Sequence, residues 1–397
     1  MSGNLLLALN CGSSSIKFAL FDGDASPLPR VPLWRGGVQG IGGPHPAWSV
    51  AGAPAEPLAL DAASPYESAL HHIRTRVEAF LGARRLRLVV HRVVHGGEKY
   101  SEPVRLDARV LADLVQCIPL GPVHQPHALL AIRLMLQAEP DVPQVACFDT
   151  AFHARMPLTE RVLPLPWEAW QRGIRRYGFH GLSYAYLALR LAERYGEAAR
   201  GRVIALHLGS GASLCAMRGL ASVATTMGFS ALDGVMMGTR SGAIDPGVLL
   251  HLLQVEGHTP EQVARLLYHQ SGLLGVSGVS PEPRVLIAHE QDDGERGERA
   301  RLAMALYVRS IVREVGALAA LLGGVDMLVF TAGVGENSAP VRERVCAALD
   351  WLGVRLDREA NAANAPLVSA ADSRVRVAVE PTNEEWMAAT QALSCLT

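Results

Sequence analysis

The apolar residues near the start of the chain form two short runs separated by a small polar turn. Residues 4–10 are mostly leucine and alanine, and residues 11–15 read Cys-Gly-Ser-Ser-Ser. Residues 16–21 are again apolar except for Lys17. Runs of this length joined by a glycine-containing turn are typical of two strands in a hairpin. We therefore predict a β-hairpin over residues 4–21.

The same arrangement returns half a chain later, at residues 203–217, with a turn at 209–211. Gly12 and Gly209 occupy corresponding places in the two hairpins, and Ala8 and Ala205 do so as well. Each hairpin opens a further series of apolar segments. The repeat predicts a duplicated fold of two α/β lobes.

Other elements follow from the spacing of apolar residues. Ser64, Pro65 and Glu67 resemble a helix start with a capping box, and apolar residues then lie on one helical face as far as Leu81. We also predict helices at 107–117 and 126–138, and strands at 86–90, 145–148 and 326–331.

The composition is typical of a globular enzyme. The chain has 397 residues, enough for two domains, and is 49% hydrophobic with a net charge of -1. This charge gives no electrostatic basis for binding nucleic acid or a membrane surface. We find no membrane-spanning run and no signal peptide, so we expect a cytoplasmic location. The six cysteines lack the spacing of a metal site or a disulfide framework.

Three glycine-rich turns follow predicted strands, at residues 11–15, 209–211 and 333–337. Such turns let backbone N–H groups approach an anion, and the third opens a helix, whose N-terminus favours phosphate. Each one alone is more often only a turn, but three in a duplicated chain indicate a site for nucleotide phosphates. Neither the P-loop pattern nor the G-x-G-x-x-G pattern occurs.

Four cationic side chains are candidates for binding an anion. Lys17 follows the first turn, and Arg92, His180 and Arg240 lie in predicted loops. Loops between buried elements often carry binding and catalytic groups. For each residue alone, the alternative is a solvated side chain or a structural hydrogen bond.

Two carboxylates and one amide are candidates for a metal. Asp149 ends a predicted strand, and Glu384 lies in Pro-Thr-Asn-Glu-Glu. Together with Asn10 they are suitable ligands for Mg²⁺, which takes oxygen ligands and keeps several waters. A helix cap or a surface charge is the alternative for either acid alone.

Seven short motifs together resemble those of the acetate kinase family, and they occur in family order over almost the whole chain. The first reads Asn-Cys-Gly-Ser-Ser-Ser-Ile-Lys. Their positions are residues 10–17, 148–153, 178–181, 207–213, 237–242, 333–337 and 382–385.

The resemblance implies a duplicated two-lobe α/β fold of the actin/hexokinase, ribonuclease H-like type with an active-site cleft between the lobes. An N-terminal lobe would comprise residues 1–150 and 385–397, and a nucleotide-binding C-terminal lobe residues 151–384. It also implies a homodimer, with no nucleic acid or membrane partner. The implied reaction is phosphoryl transfer from ATP to acetate, giving ADP and acetyl phosphate, with Mg²⁺ or Mn²⁺. A propionate or butyrate kinase on the same scaffold is the alternative.

The functional residues of the family carry over by position. The metal group is Asn10 and Glu384, and the catalytic group is Asp149, His180, Arg240 and Arg92. The nucleotide group is Ser13, Ser15, Lys17, His207, Leu208, Gly209, Ser210, Gly211, Glu282, Pro283, Arg284, Gly333, Val334, Gly335, Glu336 and Asn337. The substrate group is Arg92, Val94, Val123, His124, Phe179 and Ala231.

Some positions depart from the family pattern. Val123 and Ala231 stand where Leu and Pro are usual, and both changes remove carbon from the implied acyl pocket. Burial of one more methylene group is worth about 0.8 kcal/mol, so we expect propionate to be used better than by typical family members. The other departures bear on nucleotide affinity and on the preference for ATP. The family usually has Asn, Asp, Asp and Asn at the positions that are, in this chain, Ser210, Glu282, Ala243 and Gln125.

The implied acceptor also fits the candidate cations. A short carboxylic acid is ionised at neutral pH, so charge neutralisation and in-line positioning dominate over base catalysis. We expect Arg92 and Arg240 to bind phosphoryl oxygens, His180 to add a donor, and Asp149 to orient an arginine or a metal-bound water. A non-catalytic nucleotide-binding protein of this superfold would lack the cations, and a sugar kinase would need a positioned base.

Overall fold

The computed structural model describes residues 3–12 and 14–396. Ser13, predicted to bind nucleotide, lies outside the described residues. The chain divides into two compact units. The first unit comprises Met1–Phe152, Gly181–Ser183 and Asn383–Thr397, and the second comprises His153–His180 and Tyr184–Thr382.

Each unit contains one sheet within the described residues. The eight strands of the first unit are β1 (Asn4–Cys11), β2 (Ser15–Asp22), β3 (Trp34–Gln39), β4 (Ala47–Val50), β5 (Glu56–Pro57), β6 (Arg85–Val93), β7 (Val104–Arg105) and β8 (Gln144–Phe148). The five strands of the second unit are β9 (Arg202–Leu208), β10 (Ala212–Arg218), β11 (Ala221–Thr225), β12 (Met327–Thr331) and β13 (Arg376–Val379).

Helices connect and cover the strands. In chain order they are α1 (Pro65–Leu81), α2 (Ala108–Gln116), α3 (Gln125–Ala138), α4 (Leu158–Arg161), α5 (Trp167–Gln171), α6 (Gly181–Tyr195), α7 (Pro246–Gln254), α8 (Pro260–His269), α9 (Gly272–Ser277), α10 (Pro283–His289), α11 (Gly294–Leu322), α12 (Ala332–Asn337), α13 (Ala339–Ala347), α14 (Arg358–Ala362) and α15 (Glu384–Leu393).

The two sheets share one topology, as the repeated sequence pattern predicts. The order β3-β2-β1-β6-β8 in the first sheet corresponds to β11-β10-β9-β12-β13 in the second. In both, three antiparallel strands are followed by two strands parallel to the first strand of the hairpin. Both predicted hairpins are therefore confirmed.

The central strand β1 is buried on both faces. Leu5, Leu7 and Leu9 join a core with α1 and α3. Leu6 and Ala8, which point to the opposite face, are also buried, and α15 packs against β1 on this unit. A strand between two helical layers requires such continuous burial. Since α15 packs against β1, β6 and β8, its first residue belongs to the first unit, whereas we had expected it in the second lobe.

Three local predictions were wrong in detail. The capping box at Ser64 does not form, because the Ser64 hydroxyl instead donates to the Asp61 carboxylate at 2.9 Å. Arg92 lies within β6 rather than in a loop, since β1 and β8 pair with it on both sides. Residues 333–337 form part of α12 rather than a turn that precedes a helix.

The described residues contain no helix with the length and apolar character needed to cross a bilayer. All six cysteines are free thiols, and five of them are buried. Burial raises the pKa of the Cys11 and Cys215 thiols to about 12, so they remain protonated at neutral pH.

Candidate active site

Three polar side chains stand side by side across the first sheet. Asn10 lies opposite Lys17 in the antiparallel β1–β2 pair and beside Arg92 in the parallel β1–β6 pair. Residues paired across strands point to the same face of a sheet. The row lies near the carboxyl ends of β1 and β6, the edge at which α/β sheets commonly bind ligands.

Arg92 is held by two carboxylates of the same unit. Its Nε and Nη2 donate to Asp149 at 3.0 and 2.7 Å, and its Nη1 donates to Glu384 at 2.9 Å. Asp149 directly follows β8, and Glu384 begins α15. The side chains of Arg92 and Asp149 are only 18% and 2% exposed. Three separate elements therefore fix the orientation of one guanidinium group.

Burial and nearby charges of opposite sign shift the pKa values of Arg92 and Glu384 in opposite directions. Burial lowers the pKa of Arg92, but Asp149 and Glu384 raise it more, so the pKa lies above its usual value. Burial raises the pKa of Glu384, and the cations of Arg92 and Lys17 act against that rise. A further cation near Glu384 would favour its charged form in the same way.

Glu384 and Asn10 fit a magnesium site in their chemistry. Oε2 of Glu384 accepts from Arg92, but Oε1 is buried and has no hydrogen-bond partner among the described residues. A buried carboxylate oxygen without a partner is costly. Mg²⁺ is usually bound by one or two carboxylates plus waters and phosphates. No cluster of three or more His, Cys, Asp or Glu side chains suited to a metal occurs in the described chain.

Hydrogen bonds and close packing support the backbone at Asp149 and at His95. The Gly181 amide donates to the Asp149 carbonyl at 2.8 Å, and a Cβ atom on Gly181 would collide with that oxygen. Gln125, an amide longer than the family's usual Asn, exchanges two hydrogen bonds with the backbone of His95, at 3.2 and 3.0 Å. This departure from the family pattern thus has a structural role.

In the second unit, the predicted nucleotide-binding segments converge on the turn between β9 and β10. A Cβ atom placed on Gly209 would lie 3.7 Å from the Cβ of Ala332, at the start of α12. One placed on Gly238 would lie 3.0 Å from the Pro281 carbonyl oxygen and 3.7 Å from that of Ser210. The three segments therefore lie close together within this unit.

Arg240 is a cation that has no counterion among the described residues. Its Nη1 donates to the Ala231 carbonyl at 3.1 Å, and its guanidinium lies 6.0 Å from the centroid of the Tyr268 ring. No carboxylate among the described residues forms a salt bridge with it. Burial lowers the pKa of Arg240, and Tyr268 acts in the opposite direction. A half-buried guanidinium of this kind is suited to binding an anion by charge-assisted hydrogen bonds.

His180 lies beside Arg240. A Cβ atom on Gly211 would lie 3.4 Å from His180 Nε2 and 3.5 Å from Arg240 Nη1. His180 adopts a φ of 60°, a left-handed conformation that costs a non-glycine residue about 1–3 kcal/mol. Its ring stacks on His207 with centroids 4.1 Å apart. Strain of this kind, held by packing, is characteristic of functional positions.

Two residues that fix the His180 ring were missed at the level of sequence. Ser213 Oγ lies 2.8 Å from His180 Nδ1 and 2.7 Å from the Tyr184 hydroxyl oxygen. Tyr184 follows His180 by one helical turn, and Ser213 lies opposite His207 in the hairpin. These two spacings are the sequence signals that could have identified them.

The remaining predicted nucleotide residues lie at the ends of elements. Ser15 begins β2, Glu282 precedes α10, and Arg284 is exposed in the first turn of that helix. The side-chain amide of Asn337 donates to the Gly333 carbonyl in the same helix, α12. The Glu336 carboxylate accepts hydrogen bonds from two backbone amides.

The residues predicted to line the acyl pocket are divided between the two units. Those of the first unit are Val94, Val123 and His124, and those of the second are Phe179 and Ala231. Phe179 is only 2% exposed, and Ala231 supplies the carbonyl group that binds Arg240. The pocket as a whole stays a prediction.

Arg240 has no counterion in the described part of the chain and lies next to a turn on which several backbone segments converge. These features define an anion-binding site on a duplicated α/β scaffold. Comparison with known proteins identifies the class as a carboxylate kinase. The sequence pattern that defines the acetokinase family matches residues 5–390 of this chain. An acetate kinase from Rhodopseudomonas palustris is 46% identical over 392 residues, covering 97% of each chain. The chain belongs to the acetokinase family.

Solved structures agree with this assignment. The acetate kinase of Porphyromonas gingivalis has 36% sequence identity and a TM-score of 0.85, covering 99% of this chain and 100% of that one. A propionate kinase from Francisella tularensis has 33% identity and a TM-score of 0.88, with the same coverage. The predicted fold class and the predicted enzyme class, a phosphotransferase with a carboxyl acceptor, are confirmed.

We predict that Arg240→Ala lowers kcat about a hundredfold or more, because one preorganised donor to a transition-state anion is worth that much. Arg240→Lys recovers only part of the loss, since lysine lacks the planar fork of donors. Arg265→Ala, which removes an exposed arginine of α8, is the matched control. Near-normal turnover by Arg240→Ala, measured as acyl phosphate formed, would contradict the assignment.

Proposed function

We propose that the chain catalyses phosphoryl transfer from ATP to acetate, yielding ADP and acetyl phosphate. The observation that carries this proposal is the half-buried Arg240 guanidinium, which lies beside His180 and the turn at Gly211 and has no carboxylate partner among residues 3–12 and 14–396. An anionic acceptor and a triphosphate both require such a cation. The relatives named as acetate kinases support acetate as the acceptor.

The residues divide the work as follows. Arg240 and His180 donate to the phosphoryl oxygens, on which negative charge is spread during transfer. Arg92 binds the acceptor carboxylate or the phosphoryl group in the orientation that Asp149 fixes. The acceptor is already ionised, so no residue needs to remove a proton from it. The segments at 207–211, 282–284 and 333–337 bind the nucleotide.

Magnesium completes the proposed site. Asn10 and Glu384 would hold the ion. Two observations support this: Oε1 of Glu384 is buried with no hydrogen-bond partner among the described residues, and Asn10 lies in the row beside Arg92. When bound, the ion neutralises charge on the nucleotide phosphates. Mn²⁺ satisfies the same oxygen ligands. A cytoplasmic location stays a prediction.

Propionate kinase is the second candidate, because a propionate kinase is among the similar structures. Val123 and Ala231, smaller than the family's usual residues, favour room for one more methylene group. We therefore expect propionate to be a good substrate, with kcat/KM less than a hundredfold below that of acetate.

The test is hydroxylamine trapping of acyl phosphate, with Mg-ATP and with acetate, propionate or butyrate in parallel. We expect hydroxamate with acetate as the strongest signal and a substantial signal with propionate. A stronger signal with propionate would make propionate the main substrate. No hydroxamate with any acid, despite measurable ATP binding, would overturn the proposed function.

We further propose a homodimer through an apolar surface formed by α7 and the residues beside it. No residue of α7 is buried, although it contains four leucines and one valine. Several large exposed apolar residues within one short segment are typical of an interaction site. Its large apolar residues are Ile244, Val248, Leu250, Leu253 and Val255, which are 37–72% exposed.

We predict that Leu250→Glu converts a dimer into a monomer in sedimentation equilibrium, because a charge cannot be buried there without a partner. Leu158→Glu, at a residue of similar exposure outside this surface, leaves the dimer intact. A wild-type chain that sediments as a monomer at micromolar concentration would overturn the proposal.

A further inference from the structure

The backbone of α12 begins in a strained conformation that a side chain holds in place. Ala332 has a φ of 64°, in the left-handed region that residues other than glycine rarely adopt. Its amide donates to Glu336 Oε1 at 2.8 Å, closing a ring over one turn. The same residue lies against Gly209 at the turn between β9 and β10. Glu336 therefore fixes the end of α12 that is closest to this turn.

Glu336 also binds a second segment. The Thr382 amide donates to the same Oε1 at 3.1 Å. Thr382 stands two residues before Glu384, the carboxylate proposed for the metal. One oxygen atom thus accepts hydrogen bonds from two backbone amides: that of Ala332, which directly precedes the proposed nucleotide segment, and that of Thr382, in the chain that leads to Glu384.

A buried arginine holds the other end of α12. Arg342 is 0% exposed, and its Nη1 donates to the carbonyls of Gly335 and Glu336, both at 2.9 Å. Its Nε and Nη2 donate to the side chain and carbonyl of Asn361, both at 2.8 Å, and Nη2 also donates to Asn364. Five hydrogen bonds thus match the five N–H groups of a guanidinium. A lysine, with three donors, cannot replace it.

We propose that Glu336 and Arg342 are positioning residues that set the backbone of α12 for nucleotide binding, without touching the nucleotide. This inference rests on the proposed function, in which residues 333–337 bind ATP. It changes the expected role of Glu336 from a nucleotide contact to a support of the backbone. The role requires an acceptor oxygen with the reach of Glu336, and its negative charge is not needed.

Two conservative variants test separately the length and the charge of the Glu336 side chain. Glu336→Gln keeps an oxygen at the same distance and loses the charge, whereas Glu336→Asp keeps the charge and shortens the side chain. We expect the Kd for ADP, measured by isothermal titration calorimetry, to stay within about threefold in Glu336→Gln and to rise about tenfold or more in Glu336→Asp. KM for acetate should stay within about twofold in both, because the acceptor does not depend on α12.

Arg342→Lys tests the proposal independently. We expect it to raise the Kd for ADP about tenfold or more. Arg344→Lys is its matched control, since Arg344 lies on the same helix but pairs with Glu290. Glu336→Asp binding ADP as tightly as Glu336→Gln, or Glu336→Gln binding more weakly than Glu336→Asp, would overturn the inference. Hydroxamate formation by the wild type decides the proposed function separately from these binding constants.

Discussion

The burial of Arg92 between two carboxylates is the constraint on which the site of the first unit depends. A guanidinium that has lost most of its water must be paired, and removing one partner of a buried pair costs about 3–5 kcal/mol. Asp149 lies beyond β8 and Glu384 begins α15, so the charge requirement joins two distant parts of the chain to β6. The sheet in turn places Asn10 directly beside Arg92.

One scaffold carries two different chemistries. Strands β2, β1 and β6 of the first sheet correspond to β10, β9 and β12 of the second. Near the strand ends, the first sheet has a row of charged and amide groups, and the second has a row of neutral or weakly basic groups. The first row is Lys17, Asn10 and Arg92, and the second is Ser213, His207 and Thr331. In the second unit the candidate anion-binding side chains come from outside the sheet: Arg240 lies in a loop, and His180 directly precedes α6. The two units thus share a sheet topology but differ in the side chains at corresponding positions.

The sequence could predict what depends on local pattern. The hairpins and the repeat are readable because strand periodicity and turn glycines lie close together in the chain. The failed capping box at Ser64 and the strand position of Arg92 depend on partners that local pattern does not reveal: the Asp61 carboxylate and the flanking strands. Family resemblance indicated Asp149, His180 and Arg240, with an arginine or a metal-bound water as the partner of Asp149. Only the structure shows that this partner is Arg92, and that Arg240 forms no salt bridge with a carboxylate of the described residues.

The most direct test of this account is Mn²⁺ binding in the presence of ADP, followed by electron paramagnetic resonance, in the wild type and in Glu384→Gln. A neutral amide is a weaker ligand for a hard cation than a carboxylate. The account predicts that the variant binds Mn²⁺ about tenfold or more weakly, while its affinity for ADP without metal is unchanged. Equal affinity for Mn²⁺ in the two proteins would contradict it.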